Sequence, residues 1–196
     1  MYRFIKRVLD IVVSILALIV LSPLLGLIAL LIKLDSPGPV LFKQRRVGKN
    51  KVLFDIYKFR TMRIDTPKDV PTHLLLGPAA YITKFGAFLR RTSIDELPQL
   101  VNILRGEMSF VGPRPALYNQ DDLVAERDRY NANVLRPGLT GLAQVNGRDE
   151  LAIPVKAAYD GEYVKKVGFV MDTRIVLATV TKVAKREGVV EGVNIP

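Results

Sequence analysis

Two adjacent carboxylates, Asp95 and Glu96, follow two arginines, Arg90 and Arg91, at the expected start of a helix. The chain has no cysteine and one histidine, His73. Disulfides, thiolate zinc sites, cysteine nucleophiles and multi-histidine metal sites are therefore excluded, and a Ser-His-Asp triad would have to pass through His73. Transfer or hydrolysis must rest on carboxylates, hydroxyls and basic groups. A carboxylate at a helix N-terminus beside two arginines has its ionised form favoured, which keeps it available as a nucleophile. The bland reading of Glu96 is a capping box, since Ser93-x-x-Glu96 has the right spacing. Pro98 complicates it: with Ser93 as N-cap the proline falls at N5, where its missing N–H breaks a helical bond. With Asp95 as N-cap it falls at N3, where no donor is needed.

Arg90, Arg91, Arg114, Arg136 and Arg148 stand beside Pro or Gly turns or at helix ends, where a rigid backbone can aim a guanidinium. Arginine matches phosphate bidentately, so such a set suits a diphosphate; any one of them could equally be a surface charge. There is no Walker A motif, no G-x-G-x-x-G and no Asp-x-Asp, so pattern alone does not establish nucleotide binding.

The segment that must position these groups begins in a membrane. Between Asp10 and Lys33 lie 22 uncharged residues, roughly 33 Å as a helix and enough to cross a bilayer core. Lys33-Leu34-Asp35 follows instead of a cleavage site, which fits a signal peptide poorly. Pro23 cannot donate to the Ile19 carbonyl and predicts a bend there, eased by the Ser22 hydroxyl bonding back to Leu18. Both flanks are basic, whereas a spanning helix has one basic and one neutral flank. A segment that dips in at Ser22-Pro23 and returns to the cytoplasmic face satisfies both flanks; the competing reading is a Pro-kinked span. The protein carries 29 Lys plus Arg against 19 Asp plus Glu, net +10, with 49% hydrophobic residues. Residues 1–60 hold 11 of the basic and 3 of the acidic groups, +8 of the total. Basic charge beside apolar sequence points to an anionic membrane surface. Nucleic acid is the rival, unsupported by any finger, RNP or helix-turn-helix pattern.

The remainder reads as α+β and mainly helical. A hairpin is expected from VLFKQ and VLFDIYKF about a Lys-Asn-Lys tip, then a turn-rich loop over 63–80. Helices are expected over 81–91, from about 93 to Gly106, over 119–133, 155–166 and 172–187. The Arg136–Arg148 stretch reads as non-helical. The 172–187 helix puts Ile175, Val176, Thr179, Val180 and Val183 on one face, suited either to the core or to the headgroup plane.

At these residues the chain resembles the small monotopic phosphoglycosyl transferases, a bacterial sugar transferase family. The resemblance runs nearly end to end: KRVLD (6–10), Ser22-Pro23, Gln44-x-Arg46-x-Gly48, YKFRTM (57–62), SIDELPQL (93–100), RGEMSFVGPRP (105–115) and RPGLTGLAQVNGR (136–148). It implies a re-entrant membrane helix over 1–34, broken at Ser22-Pro23. A small cytosolic catalytic domain over 35–196 follows, with a short β-hairpin and amphipathic interfacial helices. It implies that Asp95 attacks the β-phosphate of a UDP-sugar, releases UMP and holds the phosphosugar until undecaprenyl phosphate takes it. It further implies that Glu96, with Asp95, handles Mg²⁺, that Arg90 and Arg114 bind phosphate, and that Arg148 binds the nucleotide. The expected location is the cytoplasmic face of the bacterial inner membrane, at the start of exopolysaccharide, capsule or glycoconjugate synthesis. No nucleic-acid partner is implied, and a homodimer stays open. The 63–80 loop departs from the family pattern, either as a donor-specificity lid or as a variable loop. Two other readings stand beside this one. A polyprenyl-phosphate glycosyltransferase would release UDP. A non-enzymatic membrane scaffold would leave Asp95-Glu96 as a mere cap.

Overall fold

A computed structural model describes residues 1–67, 80–147 and 151–185. His73 and Arg148 lie outside the described residues, as does most of the 63–80 loop. The fold is mainly helical with a short antiparallel hairpin, as the sequence predicts.

Helix α1 runs from Tyr2 to Asp35 and remains helical through Pro23. The Ser22 hydroxyl donates to the Ile19 carbonyl at 2.8 Å, not to Leu18. Ile19 is the carbonyl that Pro23 leaves without its N–H, so the serine repairs the bond the proline removes. One stripe of α1, spaced at three and four residues, faces the rest of the protein: Asp10, Ser14, Ala17, Leu18, Leu21, Leu25, Ile28 and Ile32. The stripe before Pro23 packs on Phe54, Ile56, Leu100, Ile103 and Met108. The stripe after it packs on Phe59 and Leu89. The opposite face, including Ile19, Val20, Leu24, Leu27 and Leu30, is exposed apolar surface.

Strands β1 (Leu41–Val47) and β2 (Leu53–Phe59) pair antiparallel, with the tip at Lys49–Lys51 as expected. Along β2 the even-numbered side chains share one face. Phe54 and Ile56 therefore enter the core, and Lys58 continues that face toward the chemistry. Helix α2 (Lys84–Arg91) is capped by Thr83, which accepts from the Gly86 N–H at 3.0 Å. Gly86 lets α2 press onto the end of β2, where a Cβ would stand 2.1 Å from the Thr61 carbonyl oxygen. Helix α3 covers Gln99–Arg105 and ends at Gly106, which takes φ +85° as the expected C-terminal glycine.

Two short strands go beyond the sequence expectation. Strand β3 (Ser109–Val111) pairs parallel with β4 (Gly138–Thr140). At Gly112, just after β3, a Cβ would lie 2.4 Å from the Arg136 carbonyl oxygen, so only glycine lets the two segments close. Helix α4 is shorter than expected (Asp121–Asp128), and α5 (Leu142–Val145) forms inside the stretch that reads as non-helical. Helices α6 (Ile153–Lys166) and α7 (Phe169–Lys185) complete the described residues. The α7 stripe divides: Ile175 is buried in the core, whereas Val176 and Val180 are exposed, as is Leu177 beside them.

Asn102, fully buried on α3, ties that helix to the hairpin. It accepts from the Tyr57 N–H at 3.0 Å and donates to the Asp55 carbonyl at 2.8 Å and to Glu107 at 2.6 Å. Asn102→Ala leaves buried backbone groups unpaired, and should lower unfolding stability by about 3 kcal/mol. Chemical denaturation in detergent measures this; a loss under about 0.5 kcal/mol would mean that these bonds do not hold α3 in place.

Candidate active site

The carboxylate pair sits on a single 3₁₀ turn, Ile94–Glu96, between α2 and α3. Neither capping arrangement expected from the sequence forms. Ser93 adopts a left-handed conformation with φ 56° and makes no side-chain cap, and the residue capping α3 is Pro98. The proline therefore starts α3 instead of interrupting it, and Asp95-Glu96 are held out ahead of the helix, on a turn closed by the Glu96 N–H donating to the Ser93 carbonyl at 3.2 Å.

Glu96 meets two cations. Lys58 donates to Glu96 Oε1 at 2.7 Å, and Arg114 Nη1 lies 3.5 Å from the same oxygen. Asp95 is only 9% exposed. Burial is the largest influence on its carboxyl and pushes its pKa up to about 6, against the opposing pull of Lys58, Arg90 and Arg114 and with a further push from Glu96. This corrects the sequence expectation, in which the neighbouring arginines dominate and favour the ionised form. Desolvation outweighs them because the turn is packed under α2 and against β2.

Of the five arginines singled out, four are described, and the structure brings two of these to the carboxylates. Arg90, at the end of α2, lies close enough to bear on Asp95. Its Nη1 contacts the Met62 sulfur at 3.8 Å, and its buried Nε has no hydrogen-bond partner. Arg114 is the other. The Pro113-Arg114-Pro115 segment is fixed against β1, where Arg46 Nη1 donates to the Pro115 carbonyl at 3.0 Å and the Val47 N–H donates to the Ala116 carbonyl at 2.9 Å. Arg91 is exposed. Arg136 is spent elsewhere: its Nε donates to the Gly106 carbonyl at 2.8 Å and, with Arg7 on the Ile103 and Leu104 carbonyls, satisfies the C-terminal end of α3.

Sequence reasoning gives no role to Lys58, Arg46 or Gln99, yet all three line a small, partly open cleft with Ile56, Arg114 and Pro115. Each lies inside a motif that the resemblance rests on. The signal that could have found Lys58 is its alternation with Phe54 and Ile56 on β2, since a lysine on the inward face of a strand needs an anion to meet.

Asp95 and Glu96 offer adjacent hard oxygen donors, which suits a divalent cation. Among the described residues no group of three or more His, Asp or Glu side chains converges. A Mg²⁺ ion here would fill its remaining positions with water and phosphate oxygens, the usual arrangement for a phosphoryl-transfer metal. The residues present fit that role. A buried carboxylate, an adjacent ion-paired carboxylate and three cationic side chains can together attack a phosphoryl group and neutralise its charge.

The chain is similar to known sugar transferases over most of its length. A family model described as bacterial sugar transferase matches residues 1–186. The chain is 48% identical over 189 residues to the exopolysaccharide production protein PSS of Rhizobium leguminosarum bv. phaseoli, covering 89% of this chain and 92% of that protein. It is 40% identical over 193 residues to the UDP-glucose:undecaprenyl-phosphate glucose-1-phosphate transferase of Escherichia coli, covering 92% of this chain and 40% of that protein. It is 36% identical over 200 residues to the undecaprenyl-phosphate galactose phosphotransferase of Salmonella typhimurium, covering 95% of this chain and 42% of that protein.

Proposed function

The chain belongs to the bacterial sugar transferase family, and from that premise we propose that it moves a phosphosugar from a UDP-sugar to undecaprenyl phosphate. The observation that carries this reading is a buried carboxylate, Asp95, amid Lys58, Arg90 and Arg114. An Asp95 oxygen attacks the β-phosphorus of the donor. A phosphorus–oxygen bond forms as the bond to the bridging oxygen breaks, and UMP departs with that oxygen and its electron pair. An oxygen of the acceptor phosphate then attacks the same phosphorus and breaks its bond to Asp95, giving undecaprenyl diphosphate-sugar and restoring the carboxylate.

Arg90 and Arg114 neutralise the phosphoryl oxygens during both displacements, and Lys58 holds Glu96 beside Asp95. Mg²⁺ held by Glu96 with Asp95 would supply further charge neutralisation on the diphosphate. Arg148 is proposed as a nucleotide ligand on the resemblance alone. The membrane face of this reading is the exposed apolar side of α1, joined by Phe169, Val170, Leu177 and Val180 on α7. The two helices meet where Tyr2 and Lys6 converge on Asp172. Seated monotopically on the cytoplasmic leaflet, they would hold Asp95 near the headgroups that present the acceptor phosphate.

The test is the nucleotide released when the detergent-purified protein meets a panel of UDP-sugars with Mg²⁺ and undecaprenyl phosphate. Acceptor-dependent UMP is the expected product; UDP would replace the mechanism with simple glycosyl transfer. The pH dependence follows from burial. The nucleophile must be ionised, so kcat/KM should fall about tenfold per pH unit below the Asp95 pKa of about 6. A profile flat down to pH 4.5 would remove Asp95 from the role.

A further inference from the structure

Gln99, the first residue of α3, is 2% exposed, and its side-chain nitrogen Nε2 is buried without a hydrogen-bond partner. It lines the cleft between β2 and the Pro-Arg-Pro segment, together with Arg46, Lys58 and Arg114. A buried amide left unpaired is rare, and it calls for a partner that is present only in another state of the protein. The lining of this cleft says what that partner is. Three of its six residues are cationic, so the group it receives is an anion. Glu96, outside the lining, meets Lys58 and Arg114. An amide N–H is a donor that needs an oxygen acceptor.

Resting on the phosphosugar-transfer reading, we propose that Gln99 is a substrate-contacting residue whose side-chain amide donates to an anionic oxygen of a phosphoryl group bound in this cleft. The cations attract and neutralise that group, whereas the neutral amide orients it. Gln99 is set rigidly, its backbone in α3 and its side chain enclosed. Its Nε2 is itself closed off, so the cleft wall must part as the phosphoryl group enters, bringing an oxygen to an amide whose backbone α3 already fixes. Both the donor diphosphate and the acceptor phosphate present such an oxygen, and the two half-reactions separate them.

The experiment compares wild type with Gln99→Met, close in volume without the amide, and Gln99→Glu, close in shape but without the donor. Two readouts are taken: UMP formation, and protection against thermal unfolding by inorganic phosphate. Because Gln99→Met removes a buried unpaired donor, its unfolding temperature should match or exceed that of wild type, while UMP turnover falls ten- to a hundredfold. Both variants should lose the phosphate protection that wild type shows. A slowed UMP burst without acceptor assigns the contact to the donor diphosphate. A normal burst with slow turnover assigns it to the acceptor phosphate. Turnover within twofold of wild type, with phosphate protection intact, would overturn the proposal. So would activity lost only in proportion to folded protein in both variants, which would make Gln99 a packing residue. Should wild type release UMP from no donor, the transfer reading fails by itself. The phosphate arm then decides: protection lost in Gln99→Met upholds the contact, and protection kept overturns it.

Discussion

Asp95→Asn protein should form no UMP above about a thousandth of the wild-type rate, yet unfold at a higher temperature than wild type at pH 7.5. The two halves of that result have one cause. Asp95 is buried, and burial lifts its pKa from 3.8 to about 6 in the folded protein. The folded state therefore holds the proton more tightly than the unfolded chain does. Between those two values stability declines as pH rises, and above about pH 6 the fold carries the whole cost of an ionised, desolvated carboxylate. A rise of that size corresponds to on the order of 3 kcal/mol. An amide of the same shape escapes this cost, so the variant should gain several degrees at pH 7.5 and lose that advantage near pH 4. Activity goes the other way, since an amide oxygen cannot form the acyl phosphate bond. A non-catalytic Asp95 predicts turnover kept with the same rise in unfolding temperature, so turnover is the half that separates the two readings. Loss of turnover with a fall in unfolding temperature at pH 7.5 would mean that the variant inactivates by unfolding.

What the sequence makes legible follows from which interactions are local. The long apolar run, the hairpin with its Lys-Asn-Lys tip and the C-terminal glycine at Gly106 are set by neighbours in the chain, and all three are found. Strands β3 and β4 are not legible, because three residues each give no alternation to read and their pairing joins segments nearly thirty residues apart. Spacing predicts capping at Ser93, but Pro98 makes itself the start of α3 and shifts the carboxylates onto a 3₁₀ turn. Spacing offers Ser93 or Asp95 as the cap and misses the start at Pro98, which neither spacing contains.

The site is legible in its residue types more than in its electrostatics. Asp95, Glu96, Arg90 and Arg114 do come together. Arg136 groups with them by its proline neighbour, and only the fold shows its guanidinium committed to the end of α3. The sign of the Asp95 shift is also a tertiary property. Charge neighbours can be counted along a chain, whereas the desolvation that outweighs them depends on α2 and β2 closing over the turn. Gln99 and Lys58 lie inside motifs without a chemistry that spacing singles out, and only the fold shows that they share a cleft.

Single cysteines placed at Arg3 and at Asp35, the two ends of α1, should both be inaccessible to a membrane-impermeant maleimide in intact cells and both label in inverted vesicles. The chain has no native cysteine, so each substitution reports alone. At about 1.5 Å per residue a 34-residue helix is long enough to span, and length alone would put those cysteines on opposite sides. The packing argues otherwise. At its start α1 is tied to the globular part by Lys6 on Asp172, by Arg7 on the end of α3 and by Asp10 accepting from the Phe110 N–H at 3.2 Å. At its end Arg60 donates to the Pro37 and Ser36 carbonyls at 2.7 and 2.6 Å, and to Ile32 as well. Between those ends the buried stripe never leaves the same body. Carrying the helix across a bilayer would drag Lys58, Arg60 and the carboxylates beside them into hydrocarbon, at roughly 2.5–3.5 kcal/mol for each charge. In the proposed seating along the cytoplasmic leaflet, α1 would put Ile19, Val20, Leu24, Leu27 and Leu30 into lipid and would keep the ion pairs of the described residues in water or protein. A Lys49→Cys control at the hairpin tip should label with the other two. Labelling of Arg3→Cys and Asp35→Cys from opposite sides would mean that α1 separates from the domain in the membrane, and would overturn the monotopic seating.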